Sequence, residues 1–188
     1  DSDVVTLESP AAVLWDMDGT LVDTEPYWLT AERELVTSHG REWSPEDGLA
    51  LVGQGLEVSA ASLQARGVDL SIPDIIDWLT KRVLAQTIAE LPWRPGALEL
   101  LAAIREAGIP TALVTMSMKP LAHHVARASG MPLFDVIVTG DDVEHPKPHP
   151  APYRRSRRAP SHFRLSEPYQ ALQGARTPGR DPSGRLFV

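Results

Sequence analysis

The chain has 188 residues, 43% of them hydrophobic, a formal charge of −7 and no cysteine. That length supports one sizeable core with a small inserted unit, and the missing cysteines exclude a disulfide framework and thiolate chemistry. No apolar run approaches the ~20 residues of a membrane span and the acidic stretch Asp1 to Pro10 does not read as a signal peptide, so a soluble cytoplasmic protein is expected.

The first predicted element is a buried strand over 11–18, with an apolar approach and an acidic end. Val13-Leu14-Trp15 leads into Asp16-Met17-Asp18-Gly19-Thr20. Two carboxylates at a strand end before a glycine turn suit a divalent cation and offer a nucleophile beside an acid/base. Residues 26–39 predict a helix, since Tyr27, Ala31 and Leu35 recur every four positions and Gly40 stops it. A shorter helix is predicted over 45–51, and longer ones over 56–66 and 74–90. In the last, Ile76, Leu79 and Val83 share one face. No strand pattern of comparable strength occurs between 24 and 91, so this stretch reads as an all-helical insertion.

The pattern changes at Arg94-Pro95-Gly96. Residues 97–107 predict a helix with Leu101 and Ile104 inward and Gly108 as its stop. Thr111–Thr115 reads as a second buried strand, Lys119–Ser129 as a helix, and Asp135–Thr139 as a third strand. Strands alternating with helices predict an α/β protein with a parallel sheet that binds ligands at the carboxyl ends of its strands. Asp16, Thr115 and Asp141 all fall at or just past such ends. The expected organisation is a Rossmann-like catalytic core from 1–23 and 92–150, with 24–91 inserted as an α-helical cap. After Pro150 the periodicity fails. Residues 151–188 hold eight arginines, five prolines and two acids, against an excess of acids before them. They read as an atypical basic, Pro/Arg-rich tail with poor order.

Three separated segments resemble the motifs of the haloacid dehalogenase superfamily, in the family's order. They are Asp16-Met17-Asp18-Gly19-Thr20-Leu21-Val22-Asp23, Leu113-Val114-Thr115-Met116-Ser117, and His145-Pro146-Lys147-Pro148. Arg94-Pro95-Gly96-Ala97 resembles the subfamily with a helical cap, which includes sugar-phosphate phosphatases and β-phosphoglucomutase. The resemblance covers about residues 11–150. It implies a magnesium-dependent phosphatase acting on a small phosphorylated metabolite, a sugar phosphate in the first instance, through an aspartyl-phosphate. Asp16 would be the nucleophile, and Asp18 would protonate the leaving oxygen and later deprotonate water. Thr115 and the Met116 backbone N–H would hold phosphoryl oxygens, and Lys147 would pair with the phosphate and Asp16. Mg²⁺ would bind the Asp16 carboxylate and the Asp18 backbone carbonyl.

The family completes its metal site with a fourth, acidic motif on a later strand. Glu167, in the weak strand pattern Phe163–Glu167, stands at a plausible distance, and Asp141-Asp142 offers another acidic pair; Asp23 reads as a metal-site neighbour or a cap for the following helix. The alternative reading is therefore a catalytically impaired or inactive phosphate-binding member whose C-terminal core strands are missing or aberrant. The abrupt change near Tyr153 is what a shifted coding frame would produce, and translating the coding DNA in the other frames tests it. A phosphomutase is disfavoured because the loop Val52–Glu57 lacks the arginine expected of one. Asp18 argues against a dehalogenase, whose leaving group needs no proton. The expected partner is a small phosphorylated substrate, with no membrane and no nucleic acid, since the arginine run lacks interleaved aromatics, and with a monomer favoured.

Overall fold

Three short apolar runs pair side by side in one parallel sheet, in the order β1-β2-β3: β1 (Val13–Trp15), β2 (Thr111–Val114) and β3 (Val136–Val138). This is a computed structural model that describes residues 10–156. The register sets Leu14 beside Ala112 and Leu113 beside Ile137. Parallel neighbours require long crossovers. The first contains five helices, α1 (Glu25–Ser38), α2 (Pro45–Leu49), α3 (Leu56–Ala65), α4 (Ile72–Ala89) and α5 (Ala97–Glu106). The second contains α6 (Lys119–Ala128), and α7 (Ala151–Ser156) follows β3. The α/β class and every helix expected between residues 26 and 129 are present, with ends shifted by one or two residues. Among the described residues no helix is long and apolar enough to cross a membrane.

The sheet buries both faces, as parallel sheets do. Side chains alternate along each strand. Trp15, Leu113 and Ile137 face the main core, while Leu14, Ala112, Val114 and Val138 belong to a smaller cluster on the other side. The main core runs on from the sheet into the helices: Leu21, Leu35, Leu63, Ile75, Leu79 and Leu121 are all fully buried within it. Helix α4 packs on α1 and α3 and also on α6, so it links the helices of the first crossover to the layer beside the sheet.

Two sequence expectations need correction. The strand predicted over 11–18 ends at Trp15. The Met17 carbonyl accepts N–H groups from Thr20, Leu21 and Val22, which pulls the chain into a tight turn before a strand can continue. Gly19 in that turn has φ +74°, a left-handed conformation that a side chain disfavours. The regular structure also runs past Pro150. Pro152 lies in the first turn of α7, where proline costs no hydrogen bond, and the Arg154 N–H bonds back to the Pro150 carbonyl. Tyr153 of this helix packs against the smaller cluster. Residues 157–188, including the weak strand pattern around Glu167, lie outside the described residues.

Candidate active site

Asp16, Asp18, Thr115, Met116 and Lys147, although they come from three distant segments, line one cavity of about 260 Å³. Topology places them there. Asp16 follows β1 and Thr115 follows the neighbouring β2, so both stand at the carboxyl edge of adjacent strands. Ligand sites in parallel sheets form at this edge. The loop after β3 brings in Lys147, whose Nζ lies 2.9 Å from Asp16 Oδ1. Lys147 is mostly buried and Asp16 nearly half exposed, so the carboxylate is open to the cavity while its cation is held behind it.

Asp18 is held by more donors than any other carboxylate of the cavity. Its Oδ1 accepts the Thr24 hydroxyl at 2.6 Å and the Trp28 indole N–H at 3.1 Å. Its Oδ2 accepts the Ser117 hydroxyl at 2.7 Å, with the Thr115 hydroxyl at a longer 3.5 Å. The Ser117 backbone N–H donates to Thr115 Oγ1 at 3.0 Å, which orients that hydroxyl in turn. Sequence reasoning assigned none of Thr24, Trp28 and Ser117 to Asp18. Thr24 is the N-cap residue of α1, yet its side chain makes no cap hydrogen bond. It is fully buried and its hydroxyl is used on Asp18 instead. Asp23 is exposed and lies outside the cavity wall.

Gly140 explains how the loops after β2 and β3 come so close. A Cβ there would stand 2.3 Å from the Met116 carbonyl oxygen, a backbone atom with little room to yield. The Gly140 N–H bonds to the Ser117 carbonyl across the same contact. Asp141 and Asp142, just beyond, are not part of the cavity wall. Asp141 accepts the Lys119 N–H and the Thr139 hydroxyl. Asp142 pairs with Lys119 at 2.9 Å and Arg155 at 3.5 Å and closes a capping box with Thr139. The lysine beside Asp142 lowers its carboxyl against the opposing effect of burial. Tyr153 sits with its ring 5.8 Å from Lys147 Nζ. Burial first, and then the negative charge of Asp16, push the Tyr153 hydroxyl above its ordinary value.

The opposite wall comes from the helices of the first crossover. Glu25, Trp28, Leu29 and Glu32 of α1, the loop Leu51–Gly55 and Ser59 of α3 line the rest of the cavity, and Trp28 and Glu25 reach the Asp18-Gly19 turn, where a Cβ on Gly19 would lie 3.3 Å from Glu25 Oε1. Glu32 is buried, and its Oε2 has no hydrogen-bond partner among the described residues. Burial raises its carboxyl to about 7. Sequence reasoning missed it, although a signal existed: Glu32 falls inside the buried stripe of α1, between Ala31 and Leu35.

The donor chemistry fits Mg²⁺ as far as the described residues go. This ion takes hard oxygen ligands, often one or two carboxylates with several waters, and Asp16 presents a part-exposed carboxylate next to the Asp18 turn. Among the described residues no group of three or more His, Cys, Asp or Glu forms a closed metal cluster.

A parallel α/β sheet with a carboxylate pair at one strand end, a hydroxyl at the next and a lysine behind them defines a class of phosphoryl-handling proteins. The chain belongs to the haloacid dehalogenase-like hydrolase family, whose model matches residues 10–159. It is similar to the phosphorylated carbohydrates phosphatase of Thermotoga maritima, 29% identical over 147 residues, covering 76% of this chain and 67% of the relative. It is also similar to hexitol phosphatase A of Escherichia coli, 33% identical over 142 residues, covering 74% and 64%. Among solved structures it resembles CbbY of Rhodobacter sphaeroides in complex with phosphate, with a TM-score of 0.71 and 33% identity, covering 80% of this chain and 72% of that one. The chain thus spans about two thirds of the length of the curated relatives named here. The family match also reaches beyond Pro150, in keeping with the position of α7.

Proposed function

We propose that this protein is a phosphoric monoester hydrolase acting on a small phosphorylated carbohydrate through Asp16. The observation that carries the reading is the convergence of the Asp16–Lys147 pair with an Asp18 fixed by four donors, beside Thr115, in one cavity. Relatives named as carbohydrate phosphatases support the substrate class.

A phosphate monoester is negatively charged and hydrolyses very slowly in water, so catalysis has to come from positioning and electrostatics. The Asp16 carboxylate attacks phosphorus, forming an Asp16–phosphate bond as the ester P–O bond breaks. Asp18 gives its proton to the departing oxygen. In the second half, Asp18 takes a proton from a water that attacks the same phosphorus. The Asp16–phosphate bond then breaks and inorganic phosphate leaves. The Thr115 hydroxyl and Met116 backbone N–H bind phosphoryl oxygens, and Lys147 offsets their charge while fixing the attacking carboxylate. The Asp16 carboxylate and Asp18 carbonyl would hold Mg²⁺, which supplies further neutralisation of the phosphoryl charge. The Thr24, Trp28 and Ser117 donors keep Asp18 pointed at the cavity so that its proton transfer needs no rearrangement.

The test is hydrolysis of an aryl phosphate with and without Mg²⁺. Metal-dependent turnover should fall by at least ~10⁴-fold in Asp16→Asn, as for loss of a nucleophile. Turnover that ignores both the metal and this substitution would sink the proposal. Phosphate binding without any turnover would support the alternative, a phosphate-binding member that has lost catalysis.

A further inference from the structure

The cation behind Asp16 sits on a flexible stem. A lysine ammonium ends a four-carbon chain and carries three rotatable donors, so its position has to be imposed from outside. The root of Lys147 is fixed, because its backbone N–H donates to Met116 Sδ at 3.3 Å. At the tip, Nζ donates to Asp16 Oδ1 at 2.9 Å. Asp16 is nearly half exposed and is also the group that attacks phosphorus in the proposed reaction. Once it is esterified its charge is gone and the ion pair weakens, so Asp16 alone is a poor anchor for its own partner.

A second hold is present. Nζ lies over the Tyr153 ring, 5.8 Å from its centroid, within the ~6 Å at which a ring face attracts a cation. The ring is itself anchored. It packs against the smaller cluster of Ala112, Val114 and Val138, and α7 rests on β2 and β3. Arg155 of the same helix reaches Asp142 in the loop after β3 at 3.5 Å. Tyr153 does not line the cavity, so its effect on a ligand there has to run through Lys147. Leucine would fill the apolar cluster as well; only the contact with Nζ uses the aromatic face. Burial and the Asp16 charge both favour a protonated hydroxyl, so the ring acts as a neutral π-face. An acid in its place would cancel the ammonium charge and occupy one of its donors, whereas the ring leaves the charge and the remaining donors to phosphoryl oxygens.

We propose that Tyr153 is a positioning residue, which holds the Lys147 ammonium between its ring face and Asp16 where a phosphoryl group arrives. The short helix α7, on a stretch whose sequence reads as an atypical tail, then belongs to the active site. Its ring fixes a charge that the loop after β3 delivers but does not steady at the tip. The inference rests on the phosphatase reading for the identity of the anion, though binding tests it separately from turnover.

The experiment is calorimetric binding of inorganic phosphate to the full chain in Mg²⁺ buffer, with aryl phosphate turnover measured alongside. Tyr153→Leu keeps an apolar filler and removes the ring, and should weaken phosphate binding by ~5- to 30-fold, the loss of one cation–π contact. Tyr153→Phe should restore affinity to within about threefold of wild type, since the face and not the hydroxyl makes the contact. A graded series takes packing out of the comparison. Trifluoro- and then pentafluorophenylalanine in place of Tyr153 keep the ring and the fold while draining negative charge from its face, so affinity should fall stepwise from Tyr153→Phe. On aryl phosphate, kcat/KM should follow the same order. Phosphate binding that ignores fluorination, or Tyr153→Phe as weak as Tyr153→Leu, would overturn the proposal. Phosphate binding without turnover removes the phosphatase reading and leaves the role of Tyr153 to be decided by the same series. A wild type that binds no phosphate overturns both.

Discussion

The two walls of the cavity are built on different terms. On the sheet side the polar side chains are tied to one another and to the start of α1: Asp16 to Lys147, Asp18 to Ser117 and Thr115 and also to Thr24 and Trp28 of the α1 segment, Thr115 to Ser117. On the helical side Glu32 holds a buried carboxyl oxygen with no hydrogen-bond partner among the described residues. The first wall is finished before a ligand arrives, as preorganised electrostatics require. The second keeps a buried carboxyl oxygen unpaired among the described residues. The two walls thus differ in their degree of internal satisfaction.

That contrast can be broken from either side. The largest expected effect on the helical wall is a pH dependence of stability. Burial raises the Glu32 carboxyl from an ordinary 4.5 to about 7. Below about 4.5 both folded and unfolded chains hold its proton and no penalty exists. Between 4.5 and 7 the unfolded chain ionises first, so stability falls as pH rises, and above 7 the full penalty of about 3 kcal/mol persists. Urea unfolding of wild type and Glu32→Gln across pH 4–8 should show this portion of the decline in the wild type alone. Parallel curves would mean that the carboxyl finds a partner in solution.

On the sheet wall, Gly140→Ala forces a Cβ against the Met116 carbonyl. The displaced loop carries Thr115 and Ser117, so kcat should fall by ~100-fold, as misplacement of about 1 Å can cause. Stability should fall by about 1–3 kcal/mol, the usual cost of overpacking. Retained activity would show that the close approach of these loops is dispensable. A smaller effect is expected from Ser117→Ala, which removes the 2.7 Å donor to Asp18 but leaves Thr24 and Trp28. Loss of one hydrogen bond to a charged group, about 1.5–3 kcal/mol, corresponds to roughly 10- to 100-fold in kcat. KM should hold, because the phosphoryl-binding groups are untouched. A change confined to KM would assign Ser117 to substrate binding instead.

How much of this was legible in the sequence differs between the walls for physical reasons. Asp16, Asp18, Thr115 and Lys147 stand at strand ends in a recognisable order, and a parallel sheet converts that order into proximity. The neighbours that orient Asp18 were not legible. The cap signal before α1 falls on Asp23, whereas it is the buried hydroxyl of the next residue, Thr24, that reaches Asp18. Trp28 reads as core, since indole rings usually are. The end of β1 was misplaced because the apolar Met17 continues the strand pattern, while its carbonyl already closes the turn. The helix after Pro150 was missed because prolines and arginines mask a single short turn whose order comes from packing on the sheet. Glu32 carried a legible sign, an acid inside an apolar stripe, but its meaning required knowing which way the stripe faced.

One geometric consequence of α1 remains. Trp28 and Glu32 stand one turn apart on this helix, so their side chains share a face. The first grips the proposed proton donor and the second lines the same cavity. No rigid displacement of α1 can reach one of them without carrying the other, and substitutions at the two positions should therefore combine non-additively.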